Sequence, residues 1–529
     1  MSSVKNFGRI GAACKVSRRR FLEGSAALGI SLAAAGRISA PARAASPNKG
    51  GHAKFGFDSG STSDSLDPVT FDSVFNQTLG YGTLRNSLTE ITNDNKLGPE
   101  LAESWEASDD AAEWTFKIRR DVEFHNGKAL TVDDVVASIN YNRGDDTKSP
   151  AKSLLENVEE VRADGPDRVI FKLASGNADF PYFLSDYVLC ILPSQDGKVD
   201  AVSGVGTGPY VLAEFEPGVR AIAERNSNYF KHDRAHFDSV EFLSLKDVTA
   251  RTNALQTGEV HMMNRCDLKT VHLLERSPEI DVHQVTGLQH YTMPMNTTEA
   301  PFDDNNVRLA LKYAIDRERL LQTVLRGYGK VGNDQPIAPA NEYYAEDLEQ
   351  RAYDPDKARF HLKQAGLDSL SVRLSAADAA FPGAVDAAVL YRENAAKAGI
   401  DIKVVREPND GYWSNVWMKK PWCMSYWAGR PTASQMFQTA FAADAPWNEA
   451  FWRNETFNKL LVEARTTLDP KKRAEMYREM QILVRDDGGV VIPLFASYVG
   501  ASNTSLAHDS LGGNYDMDGL KIAERWWFA

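Results

Sequence analysis

The stretch from Tyr412 to Trp452 holds the densest group of side chains that could cover an organic ligand. Indole rings bury large apolar surfaces and stack on planar or cationic groups. Two interpretations stay open for this stretch: a wall against a ligand, or a hydrophobic core built from the same rings. Six of the ten tryptophans of the chain fall within it: Trp413, Trp417, Trp422, Trp427, Trp447 and Trp452.

The other motifs with chemical potential predict neither a catalytic nor a metal centre. The segment Gly204–Gly208 lacks the G-x-G-x-x-G spacing of a phosphate-binding loop and is followed by Pro209, so it predicts a tight turn. The segment Asp516–Gly519 lacks the remaining ligands of a calcium loop. His283 and His290 are isolated, and the sequence contains no H-E-x-x-H motif and no G-x-S-x-G nucleophile elbow. We therefore expect no catalysis, no resident metal and no cofactor.

The composition is that of a globular protein with several domains. The chain has 529 residues, of which 43% are hydrophobic and 25% are charged, and a single core rarely grows beyond about 300 residues. Acidic residues outnumber basic ones by 72 to 60, which gives a net charge of −12. Because phosphate contacts need a basic surface, a nucleic-acid partner is not expected.

The first 44 residues have the order of a secretory signal. A basic segment at Ser17–Leu22 precedes the apolar run Gly24–Gly36, and Ala42-Arg43-Ala44 supplies a cleavage site of small residues. The pair Arg18-Arg19 resembles a twin-arginine signal, which a receptor reads before export. We therefore expect a periplasmic protein whose signal peptide, residues 1–44, is cleaved near Ala44. The alternative is a basic tail before a buried helix.

Cleavage would remove Cys14 and leave three cysteines in the mature protein. Cys190, Cys266 and Cys423 are odd in number and widely spaced, without a C-x-x-C or zinc pattern. We interpret them as buried structural cysteines.

Mixed α/β structure is predicted from the hydrophobic periodicity of the mature chain. Trp114, Phe116 and Ile118 alternate with polar residues, as in a strand with one buried face. From Val307 to Ile315, apolar residues instead recur at helical spacing after a possible cap at Asp303 or Asp304. Two further helices are predicted to begin at Asp354-Pro355 and at Asp469-Pro470, since proline is favoured at the first helical position.

Several segments, in order along the chain, carry one family resemblance. They begin with L-A-E-S-W at Leu101–Trp105 and end at Ala365-Gly366. The intervening motifs are Trp114–Arg119, Val122–Gly127, Leu130–Val136, Gly206–Tyr210, Leu255–Glu259, Met295–Thr297, Pro301–Asp304, Val307-Arg308 and Ala314–Arg317. Together they resemble the signature of the extracytoplasmic solute-binding proteins of peptide, dipeptide and nickel ABC transporters, family 5. The resemblance spans essentially the whole mature chain.

This resemblance implies a two-lobed periplasmic binding protein of the α/β class, a clamshell of class II, cluster C, that closes on its ligand. By motif position, residues 45–85, 204–295 and 493–529 would form lobe I. Residues 86–203 would form a subdomain inserted into lobe I, and residues 296–492 would form lobe II. The segment Met295–Thr297 would be one hinge strand.

The resemblance also implies a place for the ligand. In peptide-binding members, a cleft loop carries a Trp and, three residues later, an Asp that pairs with the α-ammonium of the peptide. Here the loop begins at Trp427, and the Asp position is Arg430. A guanidinium pairs with carboxylate or phosphate groups rather than with an ammonium. The charge of this contact is therefore reversed relative to the peptide binders.

Other positions map to the same cleft through the resemblance. Asp72 matches an acidic ligand contact of oligopeptide binders. Lys152 lies just beyond Ser149-Pro150, where those binders offer an aromatic residue and this chain has Ala151. We expect Arg430 and Lys152 to hold an anionic group and Asp72 to hold a cationic one. The alternative is that Arg430 and Lys152 are surface charges or pair with acidic residues of the lobes. The remaining expected ligand contacts are Trp427, Trp413 and Asn296.

The function implied is that of the periplasmic solute-binding component of an ABC importer. Its ligand would be a small peptide-like, opine-like or acidic amino-acid-derived solute, delivered to a membrane permease powered by an ATPase. A monomer is the expectation from the family. One alternative is a receptor for a metal or metal chelate of the nickel type, and a weaker one is an exported hydrolase.

Overall fold

The computed structural model describes residues 47–144 and 147–529 as a mixed α/β protein. The predicted signal peptide lies outside these residues. No helix within the described ranges combines the length and apolarity that crossing a membrane requires.

A nine-stranded sheet forms the centre of the fold. Its strands are β1 (His52–Phe57), β2 (Tyr210–Glu216), β3 (Arg220–Arg225), β4 (Ser239–Ser244), β5 (Met262–Met263), β6 (Ile280–Pro294), β7 (Gly329–Val331), β8 (Ser425–Trp427) and β9 (Val490–Asn503). They are arranged in the order β2-β3-β4-β1-β5-β9-β6-β8, and β7 pairs with β9 outside this sequence of neighbours.

Two long antiparallel strands, β6 and β9, run through several hydrophobic cores. Residues Val490–Ala496 form a nearly continuous buried apolar run, as expected for a strand covered on both faces. Val491 and Leu494 pack into a core with Leu311 and Tyr391, whereas Val499 and Ala501 of the same strand join a different core. The lobe boundaries given above stay a prediction, but these strands do connect separate packed regions.

Smaller sheets accompany the main one. A four-stranded antiparallel sheet consists of Ala102–Ala107, Glu113–Ile118, Val158–Ala163 and Arg168–Leu173. A parallel pair consists of Leu370–Ala376 and Ile400–Arg406. The predicted strand around Phe116 is confirmed, since Trp114, Phe116 and Ile118 are buried and their neighbours Glu113 and Lys117 are exposed. Short two-stranded pairs complete the sheets: Thr89–Ile91 with Leu97–Pro99, Ser194–Gln195 with Lys198–Val199, and Leu506–Ala507 with Trp527–Phe528.

The three predicted helices are confirmed together with their caps. The side chains of Asp304, Asp354 and Asp469 each accept a hydrogen bond from a backbone N–H of the first helical turn. The helices of more than five residues are Val74–Leu79, Val132–Tyr141, Val248–Gln256, Asn305–Tyr313, Arg317–Val324, Pro355–Gln364, Ala384–Ala396, Ala433–Ala440, Glu455–Thr466 and Pro470–Asp486. Shorter turns lie at Pro68–Thr70, Gly80–Leu84, Lys152–Leu155, Phe180–Phe183, Val271–Leu274, Tyr412–Asn415, Asp516–Gly519 and Ile522–Arg525.

The glycines of Gly204–Gly208 allow two backbone segments to approach closely. A Cβ atom at Gly206 would lie 2.1 Å from the carbonyl oxygen of Leu84, and one at Gly208 would lie 2.4 Å from the carbonyl carbon of Leu84. Only glycine fits such an approach. The cysteine prediction is confirmed as well, because Cys190, Cys266 and Cys423 are buried and free.

Candidate functional site

A cavity lies where several distant parts of the chain meet. The space inside it that can hold the centre of a water molecule is about 30 Å³. Apolar side chains such as Leu288 and Phe183 cover part of its wall, as is usual for ligand cavities. The residues that line it are Ile91, Asn95, Leu154, Asp179, Tyr182, Phe183, Ser185 and Asp186; Ala340, Asn341, Glu342, Tyr343, Pro431, Thr432 and Gln435; and Leu288, Asn514 and Tyr515.

Three acidic side chains line this cavity: Asp179, Asp186 and Glu342. Asp179 is almost fully buried and accepts a hydrogen bond from the guanidinium of Arg473. Glu342 accepts one from the hydroxyl of Tyr182. Asp186 accepts one from the backbone N–H of Val188 at 2.9 Å. Burial raises the pKa of Asp186 from its usual value to about 6.

Trp427 is the last residue of β8, and Arg430 lies on the loop that follows, where it shares the neighbours Leu288 and Asn341 with the cavity. This strand pairs with β6 at the end of the main sheet, with Trp427 opposite His290. Trp427 is buried, and the guanidinium carbon of Arg430 lies 5.4 Å from the centre of its indole ring. Arg430 Nη1 donates to the carbonyl oxygen of Gly429 at 2.7 Å. Burial lowers the pKa of this guanidinium, which forms no ion pair within residues 47–144 and 147–529.

A buried carboxylate fixes the aromatic side chains of this loop. Glu449 Oε1 accepts hydrogen bonds from Trp427 Nε1 at 3.1 Å and from Thr292 Oγ1 at 2.8 Å. Its other oxygen, Oε2, accepts one from Trp417 Nε1 at 2.7 Å. Glu449 is 5% exposed, and burial raises its pKa although these donors oppose the shift. The carboxylate thus links β6 to two indole rings.

Sequence similarity decides which family this architecture represents. Residues 96–449 match the model of the bacterial extracellular solute-binding proteins, family 5, middle region. The chain belongs to this family. The predicted family is confirmed, and with it the role of an extracytoplasmic solute-binding component of an ABC importer.

Individual members of family 5 are similar over most of their length. The dipeptide-binding protein of Escherichia coli K12 is 26% identical over 474 residues, which are 81% of this chain and 86% of that protein. HbpA2 of Haemophilus parasuis has a TM-score of 0.79 at 20% identity, covering 89% of this chain and 99% of that one. AgaA of A. tumefaciens R10, in complex with agropinic acid, has a TM-score of 0.68 at 22% identity, covering 90% and 99%. These structures confirm the predicted two-lobed periplasmic binding fold.

The aromatic stretch of this family 5 protein contains both core and exposed rings. Trp422 and Trp452 are buried, so the core interpretation is correct for them. Trp413 is 41% exposed and makes edge contacts with Tyr412, Trp417 and Tyr426. It does not line the cavity described above.

The remaining predicted contacts lie outside the cavity lining. Asp72 is exposed just before the helix Val74–Leu79 and accepts a hydrogen bond from Asn76 Nδ2 at 3.4 Å. Lys152 is exposed at the start of a short helix, two residues before the cavity residue Leu154. Asn296 forms a local turn, since its side chain donates to Glu299 and accepts from Thr298. Their role in ligand binding stays a prediction.

Sequence reasoning did not identify the acidic residues of the site. Asp179, Asp186, Glu342 and Glu449 belong to no motif that the family resemblance supplied. The first two lie near a short turn at Phe180–Phe183, whereas Glu342 is more than 150 residues away along the chain. Only the folded chain brings Asp179, Asp186 and Glu342 to one cavity.

One other group of acidic side chains could in principle hold a metal ion. Glu90, Glu100 and Glu524 lie close together and are buried. Lys231 Nζ lies 3.0 Å from Glu90 and Glu100 and 2.9 Å from Glu524. Lys521 Nζ lies 2.8 Å from Glu90 and also donates to Glu100. Because ammonium groups already neutralise these carboxylates, the residues present do not fit a cation.

Proposed function

We propose that this protein captures a small peptide-like, opine-like or acidic amino-acid-derived solute and delivers it to a membrane permease driven by an ATPase. The observation that carries the solute class is Arg430, a half-buried guanidinium above Trp427 with no carboxylate partner within the described ranges. A partly buried guanidinium without a counter-ion has lost part of its hydration and is stabilised when an anionic group pairs with it. The solute's carboxylate would be that group.

Further contacts follow from the family comparison. The related protein of Escherichia coli K12 is named for dipeptides, and the structure of AgaA contains agropinic acid. In this proposal Trp427 and Trp413 cover apolar parts of the solute, and Lys152, Asp72 and Asn296 supply polar contacts as the lobes close. The protein acts as a monomer without catalysis.

The same proposal includes export. Residues 1–44 would serve as a twin-arginine signal, removed near Ala44, so that the folded receptor works in the periplasm.

The test starts with the purified mature protein. Mass spectrometry of the denatured sample identifies any co-purified compound, and thermal unfolding is then measured with that compound, di- and tripeptides, opines and metal chelates. A ligand at 100 times its Kd stabilises the folded state by about 2.7 kcal/mol. Stabilisation by an anionic amino-acid derivative is the expected result. Stabilisation by metal chelates alone would contradict the proposal, as would the absence of any stabilising compound across the panel.

A further inference from the structure

The charged residues that line the cavity are all acidic. Among its described lining residues, Asp179, Asp186 and Glu342 are acidic, and none is Lys, Arg or His. Arg473 approaches Asp179 from outside this lining. An anionic group would be repelled here, whereas a cationic group would find carboxylate oxygens with reduced access to water.

Two of these carboxylates have unused capacity to accept hydrogen bonds. Asp179 is 1% exposed, and its Oδ2 atom has no hydrogen-bond partner among the described residues, although its Oδ1 atom accepts from Arg473. Asp186 forms no ion pair with any described cationic side chain and receives one backbone N–H. A carboxylate has room for about four donors. A buried acceptor left without a donor is costly, so the Oδ2 atom of Asp179 needs a further partner.

The space around Arg430 adjoins this acidic cavity. Arg430, Gly429 and Met436 surround a narrow gap without room for a water molecule, together with Leu288 and Asn341, which also line the cavity. The cationic side chain and the acidic lining therefore have Leu288 and Asn341 as common neighbours. This arrangement would orient a molecule that carries charges of both signs.

We propose that Asp186, together with Asp179, forms a subsite for a cationic group of the solute, an ammonium or a guanidinium. The solute would then be zwitterionic, with its carboxylate at Arg430 and its cationic group at Asp186. This inference rests on the proposed function and adds a second recognition element, distinct from Asp72, that the sequence motifs did not reveal.

The experiment uses small probes, so that it does not depend on the identity of the natural solute. Binding of butylammonium, 1-butanol and butyrate to the mature protein is measured by ligand-observed NMR at pH 7.5 and constant ionic strength. The variants are Asp186→Asn, Asp72→Asn and, as a matched control, Glu346→Gln. Glu346 is exposed, lies four residues from Glu342 and does not line the cavity.

The expected result is that butylammonium binds about tenfold more tightly than 1-butanol, because a charge-assisted hydrogen bond adds about that factor. Butyrate should bind more weakly than either probe. Asp186→Asn should abolish the preference for butylammonium, and Glu346→Gln should keep it. The thermal unfolding temperature of Asp186→Asn should not fall, since the change removes an unpaired charge.

Three outcomes would overturn the subsite. The first is equal binding of butylammonium and 1-butanol by the unaltered protein, which needs no variant to fold. The second is a preference that survives Asp186→Asn, and the third is a preference lost in Asp72→Asn but not in Asp186→Asn. If any of these outcomes is found while a solute still stabilises the protein against thermal unfolding, the receptor function stands and only the subsite is refuted.

Discussion

Two groups of acidic side chains in this protein differ in their partners. Glu90, Glu100 and Glu524 meet Lys231 and Lys521 at distances of ion pairs, with Arg525 adding a third cation near Glu90. In the cavity, Asp186 meets no cationic side chain of the described chain. The first group is electrically complete without a ligand, whereas in the cavity Asp179 is paired with Arg473 and Asp186 has no cationic partner among the described residues. Carboxylates that are paired with cationic side chains therefore stabilise the fold, whereas a carboxylate without such a partner indicates the binding site.

The largest effect is expected from breaking the neutralised group. Lys521→Met should leave Glu90 and Glu100 with a buried excess of negative charge, which costs about 3–5 kcal/mol. Denaturant unfolding should show this loss directly. Lys96→Met, which removes an exposed partner of Asp94, is the control and should change stability little. Equal stability of Lys521→Met and the unaltered protein would mean that the comparison is wrong.

A second prediction concerns Glu449, whose partners are of neither kind. Its carboxylate has no cationic partner but accepts hydrogen bonds from Trp417, Trp427 and Thr292. Glu449→Gln would turn one accepting oxygen into a donor that faces another donor, a loss of about 1–3 kcal/mol. Unfolding free energy, tryptophan emission and solute affinity should all change. Glu463→Gln, on an exposed helix position, should leave all three unchanged.

Local patterns explain why part of this organisation was predictable. The caps at Asp304, Asp354 and Asp469 act on residues two or three positions away, so the sequence reveals them directly. The family motifs, carried by long stretches of the chain, indicated the two-lobed fold and the loop of Trp427 and Arg430. The cavity acids depend on contacts between distant segments, as for Asp179 with Arg473. No spacing in the sequence predicts such a meeting.

The third prediction tests whether Arg430 contacts the anionic group of the solute. Arg430→Ala should weaken binding of an anionic solute about tenfold, the effect of one charge-assisted hydrogen bond. Arg430→Lys should restore only part of the affinity, because an ammonium lacks the planar fork. Isothermal titration with the co-purified solute measures both. Arg453 is exposed and lines neither the cavity nor the gap beside Arg430, so Arg453→Ala should bind the solute like the unaltered protein. Unchanged affinity in Arg430→Ala would remove Arg430 from the site.

The fourth prediction is a pH dependence of stability caused by Asp186. Its pKa rises on folding from 3.8 to about 6, so between these values the folded chain holds a proton that the unfolded chain releases. The free energy of unfolding should therefore fall as pH rises through this window and level off above it. Tyr187, Tyr515 and Cys190 surround Asp186, and since burial raises the pKa of each, they stay neutral across the window.

The measurement is the difference in unfolding free energy between the unaltered protein and Asp186→Asn at pH 4 to 7. Taking the difference cancels the slopes from Glu449, Asp516 and Asp518, whose pKa values burial also raises. The unaltered protein should lose stability relative to Asp186→Asn as the pH increases. A butylammonium-saturated sample should lose less, because a bound cation stabilises the ionised carboxylate. A flat difference in both samples would mean that Asp186 is already compensated, and the contrast between the two acidic groups would not hold.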